Sequence, residues 1–102
     1  MEVVILHIDE CPNWEEAGAR VRVAFDASGP TDTDLELTLL TSPKDAKAVV
    51  FAGSPTILLD GIDALPSVGR ISALACRVYR TETGLAGAPT VAQLSEAIQG
   101  KL

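Results

Sequence analysis

Residues 3 to 8, Val-Val-Ile-Leu-His-Ile, run almost without a polar break and stop at Asp9-Glu10-Cys11-Pro12-Asn13. A strand with one face in water alternates apolar and polar residues, whereas a strand covered on both faces is apolar nearly throughout. The run therefore predicts a strand with structure packed on each side, which places the chain in the α/β class. The next residues agree. Trp14, Ala17, Val21, Ala24 and Phe25 recur at helical spacing, while Glu15, Glu16, Arg20 and Arg22 fall largely elsewhere. Asn13 with Glu16 three residues on has the form of a capping box, and Gly29-Pro30 ends the helix.

The pattern then repeats. Residues 35 to 40, Leu-Glu-Leu-Thr-Leu-Leu, have the period of a strand. Ser42, Pro43 and Asp45 mark a helix start, with Ser as N-cap and Pro at the first helical position. This short helix should reach Val50 or Phe51 before Gly53 stops it. A strand begins just after Pro55, and Asp60-Gly61 turns the chain. Residues 62 to 74 contain Pro66 and Gly69 and read as a loop with at most one helical turn. Residues 75 to 80, Ala-Cys-Arg-Val-Tyr-Arg, are the candidate last strand, and residues 82 to 89 read as a loop. Thr90 with Gln93 caps a final helix carrying Val91, Leu94, Ala97 and Ile98. The order is β-α-β-α-β-β-α. The first βαβ unit should be parallel and right-handed, the last two strands antiparallel. The expectation is one domain over residues 1 to 102: a four-stranded mixed sheet with helices on both faces.

Composition narrows the partners. The net charge is −6 and the acidic residues are spread along the chain. That argues against nucleic acid or an anionic membrane, both of which need clustered Lys and Arg. The opening residues lack the basic start and longer apolar stretch of a secretory signal, and no run reaches transmembrane length. Two cysteines without such a signal point to the cytoplasm, where thiols are usually free, catalytic or buried.

The element order, with Cys11-Pro12-Asn13-Trp14 after the first strand and Ser54-Pro55-Thr56 before the third, resembles the thioredoxin-like family. There the first strand delivers a Cys-x-x-Cys motif to the first helix. Here Trp14 stands where the second cysteine belongs, so a dithiol cycle within the motif is impossible. The resemblance implies a single-thiol variant, comparable to monothiol glutaredoxins, with Cys11 as the catalytic residue. It also implies a cis Ser54–Pro55 bond whose edge pairs with the backbone of a bound peptide or thiol ligand. Pro12, Trp14, Ser54, Pro55 and Thr56 would be the ligand-binding residues, and Gly84 or Gly87 would supply a glycine loop facing the site.

A helix N-terminus favours a thiolate by about 0.3–1 kcal/mol at exposed sites. Asp9, Glu10, Glu15 and Glu16 oppose it, and two close carboxylates are enough to cancel it. Cys76 is the possible second thiol. On a strand rising about 3.3 Å per residue it should lie more than roughly 10 Å from Cys11, beyond the roughly 7 Å between Cα atoms that a disulfide spans. It therefore reads first as a buried strand cysteine; a resolving role would require the preceding loop to move or the strand to have other limits. His7 should point into the sheet surface rather than at the thiol, and Trp14 should be core or a cover over it. One histidine and two separated cysteines fall short of a structural metal site.

Three functions compete. The first is a thiol-disulfide oxidoreductase or glutathione-linked redox protein. It needs no bound cofactor, takes glutathione as co-substrate, and acts on a protein or small-molecule thiol or disulfide. The second is a non-catalytic binding or sensor module using the Pro55 edge. The third is a soft-metal protein, since organomercurial lyases use two cysteines and an aspartate, as Cys11, Cys76 and Asp9 would supply.

Overall fold

In a computed structural model, which describes residues 2–9, 11, 13–28, 34–65, 74–82 and 84–100, β1 (Glu2–His7) is an inner strand with a neighbour along each edge. It pairs in parallel with β2 (Asp34–Leu39) and antiparallel with β3 (Thr56–Leu59). β3 pairs antiparallel with β4 (Ile62–Asp63), giving a four-stranded mixed sheet in the order β2-β1-β3-β4. Parallel neighbours need a crossover, and α1 (Asn13–Ser28) supplies it between β1 and β2. α2 (Pro43–Lys47) joins β2 to β3, and α3 (Val91–Gln99) follows the last strands.

Successive strand residues face opposite sides of a sheet, and the core divides accordingly. Val3, Ile5, Ile57 and Leu59 pack with Ala17 and Val21 of α1 and with Leu94 and Ile98 of α3. Leu6 and Leu58 pack on the other side with Leu40, Ala46 of α2, Phe51 and Cys11. Helices thus cover both faces. Among the described residues no helix is long and apolar enough to cross a membrane.

The helix starts follow local chemistry. The Asp45 N–H donates to Ser42 Oγ at 3.2 Å, and the Asp45 carboxylate accepts from the Thr41 N–H and hydroxyl. Those bonds hold the Asp45 carboxyl below its ordinary value. Thr90 and Gln93 form a full capping box on α3. α2 ends at Lys47, short of Val50 or Phe51; β-branched Val49 and Val50 follow it, and Phe51 is fully buried. Asn13 is already helical, and Glu16 pairs with Arg20 one turn on.

The fourth strand is a correction. Residues 75 to 80 do not join the main sheet. Asp60 and Gly61 both have positive φ, 51° and 84°, so a two-residue turn returns the chain and Ile62 pairs with Leu59. The nearest segment fills the place beside β3 because its loop costs least to close. Tyr79–Thr81 is instead β5, paired antiparallel with β6 (Gly84–Ala86) in a separate two-stranded sheet. The expected loops over 62 to 74 and 82 to 89 therefore contain short strands. The rest of the first loop, residues 66 to 73, lies outside the described residues, as do Glu10, Pro12 and Gly29-Pro30.

Candidate functional site: the Cys11–Cys76 pair

Cys11 sits in the turn between β1 and α1, where its N–H donates to the Ile8 carbonyl at 3.4 Å. It is 0% exposed, in a cluster that includes Leu6, Ile8, Leu40, Phe51 and Leu58. The Ile8 N–H in turn donates to Ser54 Oγ at 3.1 Å, which ties this turn to the start of β3. Cys76 is bonded to Cys11, with their Cα atoms 5.9 Å apart. The expected gap of more than about 10 Å is thus corrected, and so is the expected burial, because Cys76 is exposed. The cause is the path of the chain. Freed from the main sheet, residues 75 to 77 run beside Ser54 in an isolated parallel bridge, level with the Cys11 turn. The single-thiol description gives way to a pair that uses both cysteines of the chain.

Several contacts hold Cys76 in place. The Ser54 N–H donates to the Ala75 carbonyl and the Arg77 N–H donates to the Ser54 carbonyl, each at 2.8 Å. Gly53 has φ 110°, and a Cβ there would lie 2.7 Å from Arg77 Cβ, so glycine is required by both backbone and space. The Arg77 guanidinium is buried. It pairs with Asp63 at 2.9 Å, donates to the Leu65 carbonyl, and lies 4.4 Å from the centre of the Tyr79 ring. The Tyr79 hydroxyl donates to the Pro55 carbonyl, and burial pushes this phenol well above its ordinary value. Spacing alone does not mark Asp63, Arg77 or Tyr79. The signal is alternation: Cys76, Val78 and Arg80 are exposed while Arg77 and Tyr79 are buried. An arginine on the inward side needs a carboxylate.

The Ser54–Pro55 bond is cis, as the resemblance implies. Ser54, Pro55 and Thr56 are buried, however. The Ser54 N–H, carbonyl and hydroxyl all have partners within the chain, and the Thr56 hydroxyl bonds Gly53 and Ala52. The edge expected to receive a ligand is taken by residues 75 to 77. Trp14 does not cover Cys11. It packs on the α1 side of the sheet and stacks on His7 with ring centres 4.6 Å apart. His7 likewise faces away from the thiol cluster. Burial lowers its imidazole below the ordinary value, with Asp9 opposing, and its buried Nδ1 has no hydrogen-bond partner among the described residues. Of the two candidate loop glycines, Gly87 meets the helix start, since a Cβ there would strike the Asn13 side chain; Gly84 faces open space.

A hollow of about 170 Å³ lies among Ile8, Asp9, Leu40, Thr41 and Leu74, residues that flank both cysteines in sequence or packing. A larger groove of about 400 Å³ runs between α1 and β2, bordered by Trp14, Arg22 and Leu37, and touches neither cysteine. No group of three or more His, Cys, Asp or Glu placed to hold a metal occurs among the described residues. Cys76 is an exposed residue and Cys11 a fully buried one, and the backbone bonds at Ser54 hold the two together. No family model, curated protein or solved structure matches the chain.

Proposed function

We propose that the chain is a thioredoxin-like protein that performs thiol–disulfide exchange through Cys11 and Cys76. The fold reading is supported by the strand order β2-β1-β3-β4, by β3 running against β1, and by a cysteine in the turn that opens α1. The observation that carries the function is the bonded pair itself, formed between residues 65 apart in sequence and anchored on Ser54. In the forward direction the reduced pair gives two electrons to a partner disulfide. Two partner thiols are released and the Cys11–Cys76 bond forms. Glutathione serves as reductant for the return, and no bound cofactor is needed. The compartment that suits this chemistry is the cytoplasm, where disulfides are usually transient and either catalytic or redox-sensing.

The test mixes reduced protein with oxidised glutathione and counts products. Exchange predicts one internal disulfide and two reduced glutathiones per chain. Retention of both free thiols, or a stable glutathione adduct with no internal disulfide, contradicts it. The occupied Ser54 edge favours a second reading, a binding module whose disulfide is only a structural tie or switch. That reading predicts no turnover when oxidised glutathione and a thiol reductant are both supplied.

A further inference from the structure

We propose that Cys76, not the helix-opening Cys11, is the sulfur that exchanges with the partner, and that Cys11 is the resolving thiol. This rests on the exchange reading above and assigns its two roles. Attack on a disulfide depends on which sulfur the incoming thiolate can reach. Cys11 is 0% exposed and enclosed by Leu6, Leu40, Phe51 and Leu58. Cys76 is an exposed residue, reached from the side of exposed Val78 and Arg80, while its neighbours Arg77 and Tyr79 are buried and locked down.

The occupied Ser54 edge points the same way. A partner cannot pair with Ser54, because Ala75 and Arg77 already do. It must approach from outside residues 75 to 80, where Val78 and Arg80 stand in line with Cys76 and where Leu85 lies opposite Arg80. Val78 is 62% and Leu85 72% exposed, so the approach to Cys76 has an apolar border. The lock also serves resolution. The backbone bonds to Ser54 and the Arg77–Asp63 pair do not involve sulfur, so they keep Cys76 beside Cys11 once the disulfide opens.

A thiolate RS⁻ attacks Cys76 Sγ. The RS–Sγ bond forms, the Sγ–Sγ bond to Cys11 breaks, and the electron pair leaves on Cys11, which takes a proton from water. A second RS⁻ attacks the RS sulfur and frees Cys76. Two thiols are oxidised to one disulfide and the protein disulfide is reduced to two thiols. In reverse, Cys76 attacks the partner disulfide and Cys11 displaces the partner from the mixed disulfide.

The experiment uses the wild-type protein. Oxidised protein is mixed briefly with reduced glutathione, quenched with acid and cleaved with trypsin. Cys11 and Cys76 fall in separate peptides, residues 1–20 and 71–77. The expected adduct is on 71–77, with Cys11 free. An adduct on 1–20 overturns the assignment while leaving exchange intact, and no adduct on either peptide overturns exchange and the assignment together. A second measurement compares Cys11→Ser and Cys76→Ser, folded and in denaturant, by iodoacetamide labelling. Cys76 should label near its denatured rate, whereas Cys11 should be protected about tenfold or more, because it reacts only through opening of the fold. Equal labelling, or faster labelling of Cys11, overturns the assignment.

Discussion

Reduction should weaken this protein far more than the loss of an ordinary contact. The two cysteines lie 65 residues apart, so the bond closes a loop spanning most of the chain. The chain-entropy relation for a loop of that length gives about 4 kcal/mol at 25 °C, arising mainly from restriction of the unfolded state. The folded side should change little, because Ser54, Gly53 and the Arg77–Asp63 pair hold residues 75 to 77 without the sulfur. The assay is urea unfolding of the wild type with and without reductant, followed through Trp14, the single tryptophan. With a urea slope of about 2 kcal/mol/M the midpoint should fall by about 2 M. Cys76→Ser should give the lower midpoint in both conditions and ignore the reductant. Coincident wild-type curves would refute the reasoning, since they would mean that the native state carries no such tie.

Three further outcomes follow from the same geometry. Gly53→Ala should cost about 2–4 kcal/mol, combining a strained positive φ with a clash against Arg77, and a urea midpoint within error of wild type would refute that. Arg77→Met leaves Asp63 unpaired in a largely buried site and should cost about 3–5 kcal/mol, with part recovered when Asp63→Leu is added; an equal or greater loss in the double variant would show that the pair is not the cause. His7 should make stability depend on pH. Burial holds its imidazole below the ordinary 6.5, so in the window beneath 6.5 the unfolded chain binds a proton that the fold does not. Stability should fall as pH drops through that window and stay level above it. The difference between wild-type and His7→Gln urea midpoints should be constant above about pH 7.5 and move against the wild type as pH falls to about 5.5 if desolvation is the cause, while a difference that does not change with pH would argue against it.

The main elements were legible because each has a local cause. The apolar run of β1, the spacing in α1, Ser42-Pro43 before α2 and the Thr90–Gln93 box before α3 are all read within a few residues of sequence. The errors came where tertiary pairing decided. Ile62–Asp63 is too short to show a period, and only Asp60-Gly61, a strong signal for a tight hairpin, announces it. Residues 75 to 80 have the composition of a strand and do lie extended, yet their partners are Ser54 and β6 rather than β3. That choice also hid the site. Strand rise measures distance only along a strand, and it does not separate Cys76 from Cys11 because the segment folds back along Ser54. The resemblance implied the cis bond, but no property of Ser54 alone says that its edge is filled from within the chain.

A glutathione redox titration of the wild-type protein decides whether the Cys11–Cys76 pair exchanges. Samples equilibrated at graded ratios of reduced to oxidised glutathione are quenched and cleaved, and the linked peptide pair 1–20 and 71–77 is quantified. A working Cys11–Cys76 pair predicts a single reversible two-electron transition between the linked peptides and two free thiols, approached equally from either side. If the linked species is absent at every ratio, or once formed cannot be reduced in the folded protein, the pair does not exchange and the account is wrong.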